Sequence, residues 1–155
     1  MGKRTAPTPF LYIKEKKTIT KIFRIRGANR LKTIPMAKLF FDTRDELTCI
    51  DTNLIAVVQA NGNYSRVIYI TKREIMLTYG ITKLEDILKS YNSKSNRFIR
   101  LGRSFIINHT YLQKIDVLKQ QLVLSDGNKN EIRITIPKQI LKSYKNATVK
   151  SIQIK

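Results

Sequence analysis

The residues of this chain best suited to chemistry are arginines, asparagines and hydroxyls gathered at three breaks in a strand-like pattern. The longest break lies inside Phe98-Ile99-Arg100-Leu101-Gly102-Arg103-Ser104-Phe105-Ile106-Ile107-Asn108. Arg100 and Arg103 flank a glycine hinge, and the Phe-Ile-Ile run after it reads as a buried strand able to anchor them. A guanidinium held rigidly at a surface offers a planar fork of donors that matches a guanine edge, and an asparagine amide can pair with adenine in the same bidentate way. The second break, Asn61-Gly62-Asn63-Tyr64-Ser65-Arg66, sets amide, hydroxyl and guanidinium groups at a hairpin tip. At the third, Thr135, Lys138 and Lys142 surround the last strand-to-helix junction. Serine, lysine and backbone amides of this kind fix phosphates. Each break alone is ordinary turn chemistry; three together in a basic chain suggest one ligand.

The charge balance says what kind. The 155 residues carry 30 Lys and Arg against 11 Asp and Glu, a formal charge of +19. Self-repulsion at that level disfavours a compact monomer unless a polyanion offsets it. Nucleic acid is the first candidate and an anionic membrane surface the second. A membrane binder would need an amphipathic basic helix at the N-terminus, where the periodicity is broken. Hydrophobic residues make up 42% of the chain, enough for a core and too many for a disordered chain.

Catalysis finds little support. There is no glycine-rich phosphate loop ending in Lys-Ser/Thr, no GxGxxG and no HExxH. The acids are scattered through loops, and the local group Asp42, Asp45 and Glu46 lacks further ligands around a pocket, so neither metal nor cofactor is expected. The one histidine, His109, has no partner at ligand spacing. The one cysteine, Cys49, excludes an intramolecular disulfide, and its run Leu47-Thr48-Cys49-Ile50 suggests a packed thiol. No apolar run approaches the roughly 18 residues of a membrane span, and no secretory apolar core follows the basic N-terminus, so a cytoplasmic location is expected.

The elements that must position these groups are mostly short strands. Residues 1–35 stand apart: ten basic residues, one acid (Glu15), and interruptions at Pro7, Pro9 and Gly27. They read as a flexible basic arm or as a leader preceding a start at Met36, in preference to a targeting signal. Strands are expected at 47–50, 54–60 (central, apolar on both faces), 64–71, 75–79, at Phe98, at 105–108, 115–119, 121–124 and 132–136. Asn61-Gly62-Asn63 is a hairpin signal. Thr82-Lys83-Leu84-Glu85 reads as a capping box, opening an amphipathic helix over 83–91 with Leu84, Ile87, Leu88 and Tyr91 on its apolar face. A polar connection covers 92–96. Pro137 suits the first position of a short closing helix carrying Ile140, Leu141 and Tyr144, with a basic tail at 147–155.

Over roughly Phe40 to Tyr144 the chain resembles the LytTR DNA-binding domain of bacterial transcription regulators. The resemblance rests on 55–64 (Ile-Ala-Val-Val-Gln-Ala-Asn-Gly-Asn-Tyr), on the long motif 98–108, and on the alternating last strand with its closing helix. The family usually has histidine where this chain has Gly102, so any contact of that imidazole is lost or supplied by Arg103. The family's common Ser-Arg near the last strand appears here as Thr135 to Lys138 with Pro137 intervening. The resemblance implies a mainly β, compact antiparallel sandwich-like fold with two short helices, spanning residues 36–146. It also implies sequence-specific binding of double-stranded DNA by loops entering successive major grooves on one face. Carried over by position, Asn61, Asn63, Ser65 and Arg66 belong to the first contact loop. Arg103 is the chief base reader of the second, with Ser104 and Arg100 beside it, and Lys138 stands in the third. Such regulators bind paired direct repeats as dimers. With no room here for a receiver or membrane domain, the signal would come from a separate sensor protein. The alternative is a small basic RNA-binding, ribosome-associated protein, which would need aromatic stacking platforms. Tyr64, Phe98 and Phe105 are the candidates for such platforms, but their strand patterns suggest core.

Overall fold

The computed structural model describes residues 10–14, 21–22, 38–91 and 97–153. The rest of the expected basic arm and the 92–96 connection lie outside the described residues. The chain divides into two compact units, residues 1–54 and 55–155.

The first unit contains a four-stranded sheet in the order β2-β1-β3-β4. Its hairpin is β3 (Lys38–Asp42) and β4 (Leu47–Asp51). The turn between them closes on itself, with the Thr43 backbone N–H donating to the Glu46 carbonyl at 2.9 Å. β1 (Phe10–Lys14) runs parallel to β3 and antiparallel to β2 (Lys21–Ile22). Two strands therefore lie inside the segment expected to be an arm. Strand alternation in the hairpin buries Leu39, Phe41 and Ile50. The same alternation turns Cys49 outward, so the thiol expected to be packed is exposed.

The second unit is built on a five-stranded antiparallel sheet in the order β7-β6-β5-β9-β8. Its strands are β5 (Ile55–Asn61), β6 (Tyr64–Tyr69), β7 (Glu74–Leu77), β8 (Phe98–Leu101) and β9 (Phe105–Asn108). β5 lies at its centre, as its unbroken apolar run requires, with Ile55, Ala56, Val57 and Val58 all buried. One face packs on α1 (Ile81–Tyr91), which lies against β5, β6, β8 and β9 and buries Ile81, Leu84, Ile87 and Leu88. The other face shares a core with a three-stranded sheet and α2 (Lys138–Gln153). That smaller sheet is the meander β10 (Leu112–Asp116), β11 (Gln121–Ser125) and β12 (Glu131–Thr135). Val57, Leu101 and Ile107 meet Leu122, Leu124, Ile136, Leu141 and Tyr144 there. The fold is thus mainly β and sandwich-like, as expected, and every strand pairing in this unit is antiparallel.

Local departures have local causes. β10 ends at Asp116, three residues before the expected end, because the Asp116 carboxylate accepts the Lys119 N–H at 3.0 Å and draws 117–120 into a turn. Helix α1 starts at Ile81, with the Gly80 carbonyl accepting from the Leu84 N–H at 3.0 Å. Thr82 is therefore inside the first turn and no capping box forms. Pro137 precedes α2, its carbonyl accepting from the N–H groups of Ile140 and Leu141 at 3.1 Å each. No glycine or proline follows, and α2 continues to Gln153 through most of the expected tail.

Asn108 joins the layers. Its side chain is 1% exposed. The amide donates to the Ile55 carbonyl at 2.8 Å, and its oxygen accepts from the Thr110 N–H at 3.0 Å. A single turn of 3-10 helix over His109–Tyr111 follows, and the His109 Nδ1 lies 2.6 Å from the Tyr144 hydroxyl of α2. Asn108→Ala strands a buried carbonyl and a backbone N–H. Urea unfolding should show a loss of about 2–3 kcal/mol, the desolvation penalty of such groups. A loss below about 0.5 kcal/mol would show that Asn108 is not a structural tie.

Candidate nucleic-acid interface

Strand pairing brings two of the sequence breaks to one end of the second unit, and packing sets the third beside them. β5 and β9 pair through Val57↔Ile107, Val58↔Ile106 and Gln59↔Phe105. β5 therefore ends at its tip, Gly62-Asn63, beside the place where β9 begins, after the turn Gly102–Ser104. One backbone bond seals the two tips, from the Ala60 N–H to the Ser104 carbonyl at 2.8 Å. The third break is held by side-chain packing. A methyl group on Gly102 would lie 2.6 Å from the Ile140 Cδ1, so the first turn of α2 rests directly on the β8–β9 turn. Gly102 also has φ +65, in the left-handed region that favours glycine. A histidine there, as the family usually has, would carry a Cβ onto the Ile140 Cδ1, and that side chain would have to turn aside.

Asn61, Asn63, Arg103, Ser104 and Lys138 are all exposed at this end. Thr135 and Lys142 are exposed beside them. Arg66 is on β6, with Tyr64 and Ile68 on the same face, and makes only a long pair to Glu74 at 3.8 Å. Such an exposed pair holds weakly, on the order of 0–1 kcal/mol, and leaves the guanidinium free to exchange partners.

Two expected residues are occupied elsewhere. Ser65 is 0% exposed, and its hydroxyl donates to the Tyr79 carbonyl at 2.7 Å. Alternation along β6 forces this, since Ser65 shares the inward face of Val67 and Tyr69. Arg100 points across its strand toward α1. Its Nη1 meets the Glu85 Oε1 at 2.6 Å, its Nε donates to the Gly102 carbonyl at 3.0 Å and its Nη2 to the Arg103 carbonyl at 3.2 Å. It grips the turn from behind and does not lie beside Arg103 at the surface.

Two features escaped the sequence. Tyr64, expected in the core, is 49% exposed at the first tip. Glu85, taken for a capping residue, is an acceptor for Arg100 and also pairs with Lys89 at 3.1 Å. Burial pushes the Glu85 carboxyl up, but hydrogen bonds from Lys89 and Arg100, with their charges, outweigh it and hold the carboxyl below its usual range. Only the i,i+4 spacing to Lys89 was visible in the sequence; the Arg100 partner comes from packing.

Among the described residues, no group of three or more His, Cys, Asp or Glu side chains could hold a metal. No described helix is long and apolar enough to cross a membrane.

A mostly β unit presenting basic and amide side chains at one end is a nucleic-acid-binding architecture. The LytTr DNA-binding domain family matches residues 45–148, and the chain belongs to that family. Among solved structures it is similar to the LytTr DNA-binding domain of a methyl-accepting/DNA response regulator from Bacillus cereus. The identity is 19% and the TM-score 0.49, with 72% of this chain and 95% of that chain covered. No curated protein matches.

The lowered Glu85 carboxyl makes a signed prediction. A carboxylate depressed in the fold stabilises it above the ordinary glutamate value of about 4.3, and that contribution is lost as pH falls through the lower folded value. The urea midpoint of the native chain should therefore exceed that of Glu85→Gln at pH 7. The two should converge as the pH is taken below the ordinary glutamate range. Equal midpoints at pH 7 would show that the carboxylate contributes nothing.

Proposed function

We propose that this chain is a sequence-specific regulator of transcription that reads double-stranded DNA with the loops at one end of its second unit. The observation that carries this is the convergence of three loops on one surface, sealed by the Ala60–Ser104 backbone bond and the Gly102–Ile140 contact. Side chains on tips sealed in this way cannot drift apart, which is what reading several base pairs in fixed register requires.

Arg103 is the base reader at the centre, with Ser104 beside it. Asn61 and Asn63 supply amides from the first tip, and Arg66 stands two residues after Tyr64 on the same face of β6. Lys138, at the start of α2, meets phosphate, where the unpaired N–H groups of the first helical turn add to its charge. The loops enter successive major grooves on one face of the duplex. Two copies bind paired direct repeats, and a separate sensor protein supplies the signal. This work on DNA places the protein in the cytoplasm. The rival assignment, a ribosome-associated RNA binder, calls for two or three stacking aromatics. Tyr64 is the single exposed aromatic among the described residues of the second unit, so DNA is favoured.

Selection from a random duplex pool supplies the cognate site. On that site Arg103→Ala should cost about 1–3 kcal/mol and relax the base preference at one position. Equal losses on selected and random duplexes would remove Arg103 from base reading. Log affinity should fall with log salt with a slope of about −0.9 per phosphate engaged. A flat titration would contradict phosphate contact altogether.

A further inference from the structure

We propose that Glu85 and Arg100 are positioning residues that set the base selectivity of this surface without touching DNA. The proposal rests on Arg103 reading a base. Its basis is the geometry behind the turn. One guanidinium bonds two successive carbonyls, those of Gly102 and Arg103, at 3.0 and 3.2 Å. The same group is anchored to α1 by the Glu85 carboxylate at 2.6 Å. The side chains of Arg100 and Glu85 are only 23% and 18% exposed, whereas Arg103 itself is exposed.

A hairpin tip centred on a glycine at φ +65 has an easy alternative, a flip of the peptide after it. Such a flip would re-aim the Cα–Cβ bond of Arg103 and take its fork off the plane of a base pair. Bonds to both carbonyls oppose the flip. The helix anchor opposes it further, because α1 is pinned to the sheet by four buried side chains. Lysine cannot replace Arg100 here, since a single ammonium lacks the planar fork that reaches a carboxylate and two carbonyls at once.

Glu85 separates this role from simple electrostatics. Removing a carboxylate makes a basic chain more basic, so charge alone predicts tighter binding to every duplex. Loss of positioning predicts weaker discrimination between duplexes. The signs differ.

The test uses the full chain, the duplex it selects from a random pool, and a random duplex of the same length. Dissociation constants are measured for both at one salt concentration. The variants are Glu85→Ala, Glu85→Gln, Arg100→Ala, Arg100→Lys and Arg103→Ala, together with Glu85→Ala and Arg100→Ala on the Arg103→Ala background. Circular dichroism restricts the comparison to folded variants; Glu85→Gln and Arg100→Lys are the milder changes that keep side-chain volume. The selected-to-random ratio should drop about tenfold in Glu85→Ala, Arg100→Ala and Arg100→Lys, the loss expected when one base contact is misplaced. Glu85→Gln should fall between native and Glu85→Ala. On the Arg103→Ala background neither clamp variant should change the ratio by more than about twofold, because residues acting through one group are not additive.

The proposal is overturned if Glu85→Ala keeps the native ratio or strengthens both duplexes equally. It is also overturned if Arg100→Ala weakens both duplexes equally and lowers the salt slope by about one phosphate, which would place Arg100 on the backbone. A tenfold loss persisting on the Arg103→Ala background would overturn it as well. A native chain with no preference among duplexes sinks the base-reading function itself. A native chain that discriminates, with clamp variants that discriminate equally, sinks this inference alone.

Discussion

The antiparallel ladder between β5 and β9 is the constraint on which the surface depends. It joins residues nearly fifty positions apart, from Val57↔Ile107 to Gln59↔Phe105. A shift of one residue would turn Ile107 out of the core shared with α2 and toward the α1 face. Burial of Val57 and Ile107, both 0% exposed, therefore fixes the register. The register in turn sets two hairpin tips side by side. Apolar packing deep in the sheet thus decides where the polar tips stand.

The tips are further stiffened from two sides. Behind them, Arg100 holds the Gly102–Ser104 turn to α1. Beside them, Ile140 presses α2 against Gly102. Both arrangements use groups that a contact inventory by residue type would assign to DNA or to an ordinary helix face. The Tyr144 hydroxyl, close to His109, anchors α2 further along, and burial pushes that hydroxyl's pKa up, keeping it neutral as a hydrogen-bonding group.

Charge works on a longer scale than these contacts. A formal charge of +19 draws the chain toward any polyanion and says nothing about sequence. Selectivity must come from the few side chains held at fixed spacing. The division matters for how substitutions act. Under the proposed reading, lysines spread over α2 would tune affinity for all duplexes, and changes at the Gly102–Ser104 turn would alter the difference between them.

Much of this was legible in the sequence. The β5 run, the Asn-Gly hairpin and the alternation of Ile132, Ile134 and Ile136 each state a local preference that the fold obeys, because turn chemistry and strand period are local physics. The family itself was legible from the 98–108 motif. Exposure of the site residues was not. Ser65 and Arg66 are neighbours of similar promise, yet strand alternation buries one and frees the other. Arg100 and Arg103 look equivalent around Gly102, yet a carboxylate fifteen residues upstream claims the first. The start of α1 at Ile81 and the length of α2 also went unread, since caps depend on which carbonyl a given N–H finds. By itself the sequence determined the elements, the charge and the kind of partner. Only the tertiary structure decided which polar groups remain free to meet that partner. That outcome depends on pairings between distant segments, and burial in the core sets those pairings.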